Sequence, residues 1–220
     1  MKHAFCIIAH NEPEVFKSLC RKIDHPDNDI FVFIDKKSKY KEELQSVASD
    51  LKNSKITFLS NTFHIHWGSI SLPKAEIALF EEAINSREYD YIHLISGVDQ
   101  LLHPMKDFHS FFEENAGKEF VNIEFNDYSR ESARRRVSYW YFTPQWARNF
   151  NKLLGLINSA TIKIQKIFPF RRNRKLGEMY IGSQWASITS DFARYIISNK
   201  KQIIPFFECF TGIFWLIVIT

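Results

Sequence analysis

The chain has 220 residues, enough for one domain and a second small lobe. Apolar residues make up 45% of the composition and charged residues 25%, a balance that excludes collagen-like, low-complexity and disordered proteins. The formal net charge of +4 is far below the strongly basic balance of nucleic-acid-binding proteins, so no nucleic-acid partner is expected.

The first predicted strand, residues 4–9 (AFCIIA), is a continuous apolar run that ends in HNEPE, which is typical of a strand buried on both faces and its exit loop. Apolar residues then recur at helical spacing from Val15 to Ile23, and the polar residues 25–29 end this pattern. Residues 30–34 (IFVFI) form a second strand of the buried type. Together these elements predict a βαβ unit with a right-handed crossover.

The alternation of strands and helices continues as far as residue 125. It predicts an α/β fold of three layers with a mostly parallel sheet. Two more helices are predicted in the less regular remainder of the chain. The predicted helices lie at residues 39–53, 72–86, 106–115, 147–168 and 190–199, and the remaining strands at 55–59, 91–95 and 120–125.

Polar residues follow four of the predicted strands at their carboxyl ends. Ligands of open α/β sheets bind outside this edge. A carboxylate there can hold ribose hydroxyls and a lysine or histidine can meet a phosphate, so these residues indicate a nucleotide-type ligand. The alternative for Asp35 and Asp99 is that each only caps a loop or a helix. The residues concerned are His10, Asn11, Asp35, Lys36, His64, His66, Trp67, Gly68, Ser96, Gly97 and Asp99.

Two histidines raise the question of a metal site. His64 and His66 lie two residues apart, which places both on one face of a strand, where they could ligate zinc with a third partner. No Asp-X-Asp follows an apolar strand, so we expect no divalent metal and interpret the histidines as loop or core residues. The chain also lacks the GxSxG, Walker, GxGxxG and HExxH motifs of serine hydrolases, P-loop proteins, Rossmann dehydrogenases and zincins.

Basic residues gather in two clusters, at residues 130–136 and 163–175. Each is suited to contact with phosphate, an acidic sugar or an anionic membrane surface. Over residues 130–142 (RESARRRVSYWYF) arginines accompany aromatic residues, a mixture that suits stacking on sugar rings and hydrogen bonding to hydroxyls. A solvated loop with a few buried aromatic residues is the alternative for this segment.

Five ordered blocks of this sequence resemble the core-2/I-branching β-1,6-N-acetylglucosaminyltransferase family, which includes the peptide O-xylosyltransferases. The blocks are AHNEPEVFKSLCRKI, FVFIDKKS, HWGSISLPKAEIALFEEAI, YDYIHLISGVDQLLHP and IGSQWASITSDFARYII, within residues 3–200. The resemblance implies a GT-A type fold and an inverting transfer of N-acetylglucosamine or xylose from a UDP-sugar to a glycan hydroxyl. It implies no metal or other cofactor, because basic side chains neutralise the diphosphate.

The resemblance also implies a single domain over residues 1–220, whose two halves contact different substrates. Residues 1–125 would bind the nucleotide sugar and residues 126–220 would face the acceptor. The residues implied to bind the donor are Ala9, His10, Asn11, Asp35, Lys36, Trp67, Gly68, Ser69, Ser96, Gly97 and Asp99. The residues implied to face the acceptor are Glu131, Arg134, Arg135, Arg136, Tyr139, Ser183, Gln184 and Trp185, of which the last three belong to a Gly-Ser-X-Trp block.

The catalytic base is left unassigned by the resemblance. In the branching enzymes it looks like the Glu of an acidic pair that comes shortly after the helix following the Gly-Ser block. Here that helix is followed by KKQIIPFFECFTGIFWLIVIT, whose one carboxylate, Glu208, comes before the expected place. A shortened or frameshifted chain is the favoured explanation, and a buried terminal element and a membrane anchor are the alternatives. A non-catalytic carbohydrate-binding or scaffold protein is the alternative function.

The expected location follows from the N-terminus and the cysteines. The segment MKHAFCIIAHNEPE loses its apolar character before the core of a signal peptide is complete, so we expect the mature chain to start at Met1. Three cysteines without a CxxC pair predict neither a disulfide framework nor a zinc site and favour a reducing compartment. We expect a cytoplasmic protein in which residues 163–175 can contact anionic lipid at the inner membrane. The oligomeric state is not predicted.

Overall fold

A computed structural model describes residues 1–66, 69–140, 152–168 and 178–207. The strands in these ranges are β1 (His3–Ala9), β2 (Asn28–Ile34), β3 (Lys55–Phe58), β4 (Tyr91–Ser96), β5 (Phe120–Glu124) and β6 (Ile181–Thr189). The α-helices are α1 (Pro13–Lys22), α2 (Lys41–Gln45), α3 (Ser71–Ser86), α4 (Met105–Glu114), α5 (Asp127–Ser138), α6 (Lys152–Ile167), α7 (Ser190–Ser198) and α8 (Lys200–Phe207).

The six described strands form one sheet in the order β3-β2-β1-β4-β6-β5. The pairs β1–β2, β1–β4 and β2–β3 are parallel, and β4–β6 is antiparallel. Ala9 pairs with Ile34, and Ile8 pairs with Ser96, so three neighbouring strands end at the same edge. The α/β class and the mostly parallel sheet predicted from the sequence are therefore confirmed.

Strands β1 and β2 are buried along their whole length, as their continuous apolar runs predict. One face of this pair packs against α1 and α2 through Phe16, Leu19 and Leu44. Each fully buried Leu or Phe side chain contributes roughly 1.5–3 kcal/mol through removal of apolar surface from water. The central strands therefore hold their carboxyl ends in fixed positions.

The predicted helix over residues 39–53 is shorter in the structure. Helix α2 ends at Gln45, and a 3-10 helix over Ser46–Ser49 follows it. The Oγ atoms of Ser46 and Ser49 donate to backbone carbonyls three residues earlier, at 2.7 and 2.8 Å. Such local bonds compete with regular helical pairing, which accounts for the early end of α2.

Three described elements of the second half, α5, β6 and α8, were not predicted as such. Helix α5 covers residues 127–138, so the solvated loop considered for residues 130–142 is wrong over residues 130–138. The side chain of Asn126 caps α5 by accepting from the backbone N–H of Ser129 at 2.7 Å. Strand β6 was missed because its buried and partly buried positions do not alternate with period two.

Buried histidines are a further feature that the sequence did not indicate. His3 and His93 share a hydrogen bond of 2.9 Å between Nδ1 and Nε2, and Nδ1 of His93 pairs with Oγ of Ser187 at 2.8 Å. Burial, helped by the neighbouring His109, lowers the pKa of His3 to about 3, and burial lowers the pKa of His93 as well. Both imidazoles are therefore neutral near pH 7.

The chain divides into two compact units. The first comprises residues 1–64, 75–121 and 185–198 and contains β1 to β4. The second comprises residues 65–74, 122–184 and 199–220. Among the helices that the structure describes, none combines the length and apolar character needed to cross a membrane.

Candidate functional site

The carboxyl ends of β1, β2 and β4 meet at one edge of the first unit. The backbone N–H of Asp35 donates to the carbonyl of Ala9 at 2.9 Å, and that of Gly97 donates to the carbonyl of Ile8 at 2.9 Å. These two bonds tie the ends of β2 and β4 to the end of β1. Three of the four predicted strand-end groups are thereby brought together at the edge where α/β proteins bind ligands.

Gly97 is required by close packing at this edge. A Cβ atom at this position would lie 2.9 Å from Cβ of Ala9 and 3.2 Å from its Cα. Ala9 is 1% exposed and sits in the central strand, so it has no room to move away. The small residue therefore allows the loop after β4 to lie directly against β1.

The loop after β1 contains a buried polar atom without a partner. Oδ1 of Asn11 is shielded from solvent and accepts no hydrogen bond within the described part of the chain. The loop itself is held by Ser38, whose Oγ donates to the carbonyl of His10 at 2.7 Å, and Glu12 has a left-handed φ of 52° before α1 begins. Buried acceptors normally have donors, so this position suits an N–H or O–H group of a bound molecule.

Asp35 is buried at the end of β2, with 7% of its surface exposed. Its Oδ1 accepts from the backbone N–H of Lys37 at 2.9 Å, and its Oδ2 lies 3.6 Å from the Lys37 ammonium. The carboxylate thus does cap the loop, as the alternative interpretation had it. The contact of 3.6 Å between Oδ2 and the Lys37 ammonium is longer than a hydrogen bond, so ligand hydroxyls can replace it. Asp35 can therefore cap the loop and also bind a ligand.

Lys36 follows Asp35 and projects into solvent, where it makes no ion pair with any described residue. Its backbone N–H donates to the carbonyl of Phe63 at 3.3 Å, which fixes the position of the loop. An exposed ammonium beside a buried carboxylate is suited to a phosphate group.

The loop after β4 closes on itself through Asp99. Its Oδ2 accepts from the backbone N–H of Ser96 at 2.8 Å, and the carbonyl of Ser96 accepts from the N–H of Asp99 at 3.1 Å. This carboxylate is half-buried and shapes a tight turn around Gly97.

Gln100 is a positioning residue that sequence reasoning missed. Its Nε2 donates to the carbonyl of Val15 at 2.9 Å. Its Oε1 accepts from Ser18 Oγ at 3.3 Å and from Lys22 Nζ at 3.1 Å. The loop after β4 is thereby fastened to α1, and the one signal in the sequence is that Gln100 directly follows the predicted Asp99.

Ser69 and the nearby histidines lie close to the start of α3. Oγ of Ser69 and Oγ of Ser71 are 2.5 Å apart, and the backbone N–H of His66 donates to Oγ of Ser71 at 2.9 Å. His64 is exposed and His66 is half-buried. Over the described ranges, neither histidine belongs to a group of three potential metal ligands.

The residues expected to face the acceptor on α5 differ in their exposure. Glu131, Arg134 and Arg135 are exposed, whereas Tyr139, just beyond the helix, is buried with 7% of its surface accessible. The side chain of Arg136 lies outside the part of the structure that is described. The exposed arginines are therefore the members of this group that present guanidinium groups to solvent.

The start of β6 is anchored to α5 within the second unit. The backbone N–H of Ile181 donates to Oγ of Ser129 at 2.8 Å. A guanidinium nitrogen of Arg130 donates to the Tyr180 hydroxyl at 2.9 Å, and this hydroxyl donates to Glu178 at 2.8 Å. Arg130, one of the basic cluster, thus has a structural contact that positions the Gly-Ser-X-Trp block.

The members of that block are distributed along β6. Ser183 and Gln184 are half-buried in the second unit, and Trp185, with 37% of its surface exposed, belongs to the first unit. Trp67, Gly68 and the terminal residues 208–220, including Glu208, lie outside the described residues.

Comparison with known proteins gives a family match over almost the whole chain. A family profile described as Core-2/I-Branching enzyme matches residues 3–212. The curated protein xylosyltransferase sqv-6 of Caenorhabditis briggsae is 25% identical over 201 residues, which cover 87% of this chain and 22% of that protein. The chain thus spans less than a quarter of the length of this relative.

Two solved structures are similar at low sequence identity. Mouse xyloside xylosyltransferase 1, in its apo form, is 8% identical with a TM-score of 0.43, covering 92% of this chain and 71% of that chain. S. aureus TarS 1–349 in complex with UDP-GlcNAc is 15% identical with a TM-score of 0.37, covering 52% of this chain and 32% of that chain.

Proposed function

Because the chain belongs to the core-2/I-branching family of glycosyltransferases, we propose that it transfers N-acetylglucosamine or xylose from a UDP-sugar to a hydroxyl group of a glycan. The transfer inverts the configuration at the anomeric carbon and needs no metal. The observation that carries the assignment of the donor site is the buried Oδ1 of Asn11, which has no hydrogen-bond partner among the described residues and lies at the sheet edge where the ends of β1, β2 and β4 meet.

The nucleoside binds at this edge in the proposal. A uracil ring presents an N–H group that can donate to Oδ1 of Asn11, and a ribose presents hydroxyls that can donate to the buried carboxylate of Asp35. A hydrogen bond from a ligand to a buried acceptor or to a carboxylate contributes strongly to the free energy of binding, because leaving the acceptor unpaired costs about 1–3 kcal/mol.

The diphosphate lies on the solvent side of the nucleoside. Lys36 is exposed directly after Asp35 and supplies a positive charge for a phosphate oxygen. The arginines exposed on α5 belong to the second unit, and for them we propose contacts with the acceptor glycan. Cationic side chains stabilise the leaving diphosphate electrostatically, which is the role a divalent ion has in metal-dependent enzymes.

The reaction is a single in-line displacement. The acceptor hydroxyl loses its proton to a carboxylate base, its oxygen bonds to the anomeric carbon, and the bond from that carbon to UDP breaks. Inversion follows because the nucleophile enters opposite the leaving group. We assign the base to no described residue.

An assay of UDP release tests the proposal. The chain is incubated with UDP-N-acetylglucosamine or UDP-xylose and a glycan acceptor, and proton NMR gives the anomeric configuration of the product. We expect release that depends on both substrates, an inverted product and an unchanged rate in EDTA. A retained configuration would contradict the inverting mechanism, and saturable glycan binding without any response to UDP would favour the carbohydrate-binding function instead.

We also propose a peripheral contact of α6 with anionic lipid. This helix exposes an apolar stripe of Leu153, Leu156, Ile157, Ile164 and Ile167. Lys163 and Lys166 are exposed on the same helix. Apolar side chains beside lysines are the combination with which amphipathic helices lie in the interface of an anionic membrane.

A further inference from the structure

Three potential metal ligands gather at the amino-terminal edge of the sheet, the edge opposite the candidate donor site. His25 and Asp27 lie in the loop between α1 and β2, and His109 lies on α4. One ligand atom from each of the three lies within 4.8 Å of the others. All three residues belong to the first unit, and the family resemblance assigns no role to any of them.

The imidazole of His109 is held by a hydrogen bond at one ring nitrogen, which leaves its other nitrogen for a ligand. Its Nε2 lies 2.9 Å from Oδ1 of Asn28. The Nδ2 of Asn28 donates to the carbonyl of Ile23 at 2.9 Å, which fixes the amide so that its oxygen faces the histidine. The proton of His109 is therefore on Nε2, and the lone pair of Nδ1 is left for a ligand. Metal-bound histidines are held by such hydrogen bonds to their second nitrogen.

The backbone of the loop is fixed while its two ligand side chains are accessible. The N–H of His25 donates to Oγ of Ser54 at 2.9 Å, and the carbonyl of Asp27 accepts from the N–H of His3 at 2.9 Å. The side chain of His25 is 37% exposed and that of Asp27 is 51% exposed. An ion can enter from solvent. Nδ1 of His25 accepts from the backbone N–H of Asp27 at 3.2 Å, so metal binding uses Nε2 of His25 or replaces this local hydrogen bond.

The chemical types of the three ligands indicate which class of metal this group can bind. Two imidazoles and one carboxylate suit Zn²⁺ and similar transition ions, whereas Mg²⁺ and Ca²⁺ prefer oxygen ligands throughout. A third imidazole lies beside the group, since the ring of His3 is 4.6 Å from that of His109 between centroids. Nε2 of His3 is buried and has no hydrogen-bond partner among the described residues, so this corner contains an unused nitrogen.

We propose that His25, Asp27 and His109 bind a divalent transition metal of the Zn²⁺ class, with water completing the coordination. The ion fastens α4 to the loop between α1 and β2. It stabilises the first unit and takes no part in the transfer reaction, which is proposed to occur at the other edge of the sheet.

To test this inference, the full chain is treated with EDTA, the chelator is removed, and metal binding is then measured. We expect one equivalent of Zn²⁺ to bind and to raise the Tm, and Co²⁺ to give visible absorption bands of a protein-bound ion. H25Q and D27N change exposed ligands and should each lower Zn²⁺ affinity at least tenfold, whereas H103Q, which alters an exposed histidine outside the group, should leave it unchanged.

Unchanged Zn²⁺ affinity in both H25Q and D27N would overturn the inference, as would the absence of stoichiometric binding to the wild-type chain. Binding of UDP is measured on the same variants and should equal that of the wild type. The outcome is therefore independent of the proposed transferase activity.

Discussion

Gly97 lies so close to Ala9 that a Cβ atom added to the glycine would be 2.9 Å from Cβ of the alanine. This contact seats the loop after β4 against the central strand and sets the shape of the candidate donor site. We expect G97A to cost about 1–3 kcal/mol in the free energy of unfolding, as overpacking of a fixed site does, and to weaken UDP binding.

Urea unfolding measures this effect, and G155A is the matched control. A Cβ on Gly155 would meet no described atom within 4 Å, and this glycine lies inside α6. The control should be neutral or should stabilise by up to about 1 kcal/mol, because alanine is the better helix former. Equal stability of G97A and the wild type would contradict the packing argument.

Substitution of Asn11 should lower ligand affinity without lowering the stability of the fold. Its Oδ1 has no partner within the described chain, so N11A removes an unsatisfied buried acceptor and should leave the Tm unchanged or raised. UDP affinity should fall at least tenfold, which corresponds to about 1.4 kcal/mol. Calorimetric titration gives the affinity, and N85A, on the exposed side of α3, is the control. A large loss of stability without loss of UDP affinity would show that Asn11 is structural.

Asp24 gives a prediction for pH dependence. Its carboxylate accepts from the backbone N–H groups of Lys52, Asn53 and Ser54 at 2.8, 2.9 and 2.7 Å. Although partial burial acts to raise it, these donors lower the pKa of Asp24 below its ordinary value of 3.8. The stabilisation is therefore present above pH 3.8 and is lost as the pH falls through the lower folded-state pKa.

The variant D24N should be less stable than the wild type at pH 7, by about 1–3 kcal/mol, because an amide N–H group would then face backbone donors. Urea unfolding at pH 7 and at pH 3 measures the difference, which should shrink at the lower pH. A difference that is constant across this range would contradict the assignment.

The proposed lipid contact of α6 can be tested with vesicles. We expect the wild-type chain to sediment with vesicles that contain anionic lipid and not with neutral ones, and expect salt to weaken the binding. Replacing Lys163 and Lys166 together by glutamate should abolish sedimentation, while replacing the exposed Lys39 and Lys52 should not. Equal binding to neutral vesicles would argue against an electrostatic contact.

The sequence predicted the parts of the fold whose burial is uniform. Strands β1 and β2 appear as unbroken apolar runs, and the rule that ligands bind at strand ends selects Asp35, Gly97 and Asp99 from the sequence alone. Strand β6, which pairs antiparallel with β4, was missed because its burial does not alternate regularly.

Contacts between residues far apart in the sequence could not be predicted from the local pattern of apolar and polar residues. The hydrogen bond between His109 and Asn28 joins residues 81 positions apart, and that between His93 and Ser187 joins residues 94 apart. A single histidine in an apolar segment gives no sign of such a partner. The candidate metal ligands and the anchoring role of Gln100 therefore became visible only in three dimensions.

Binding of UDP to the wild-type chain and to D35N, measured by isothermal titration calorimetry, is the sharpest test of the proposed donor site. Asparagine keeps an oxygen that can accept from the backbone N–H of Lys37, so the loop should persist while the carboxylate charge is lost. We expect one UDP bound per wild-type chain and at least tenfold weaker binding to D35N, with D107A, an exposed control, equal to the wild type. No heat of UDP binding to the wild-type chain, or equal affinity of D35N, would contradict a donor site at Asp35.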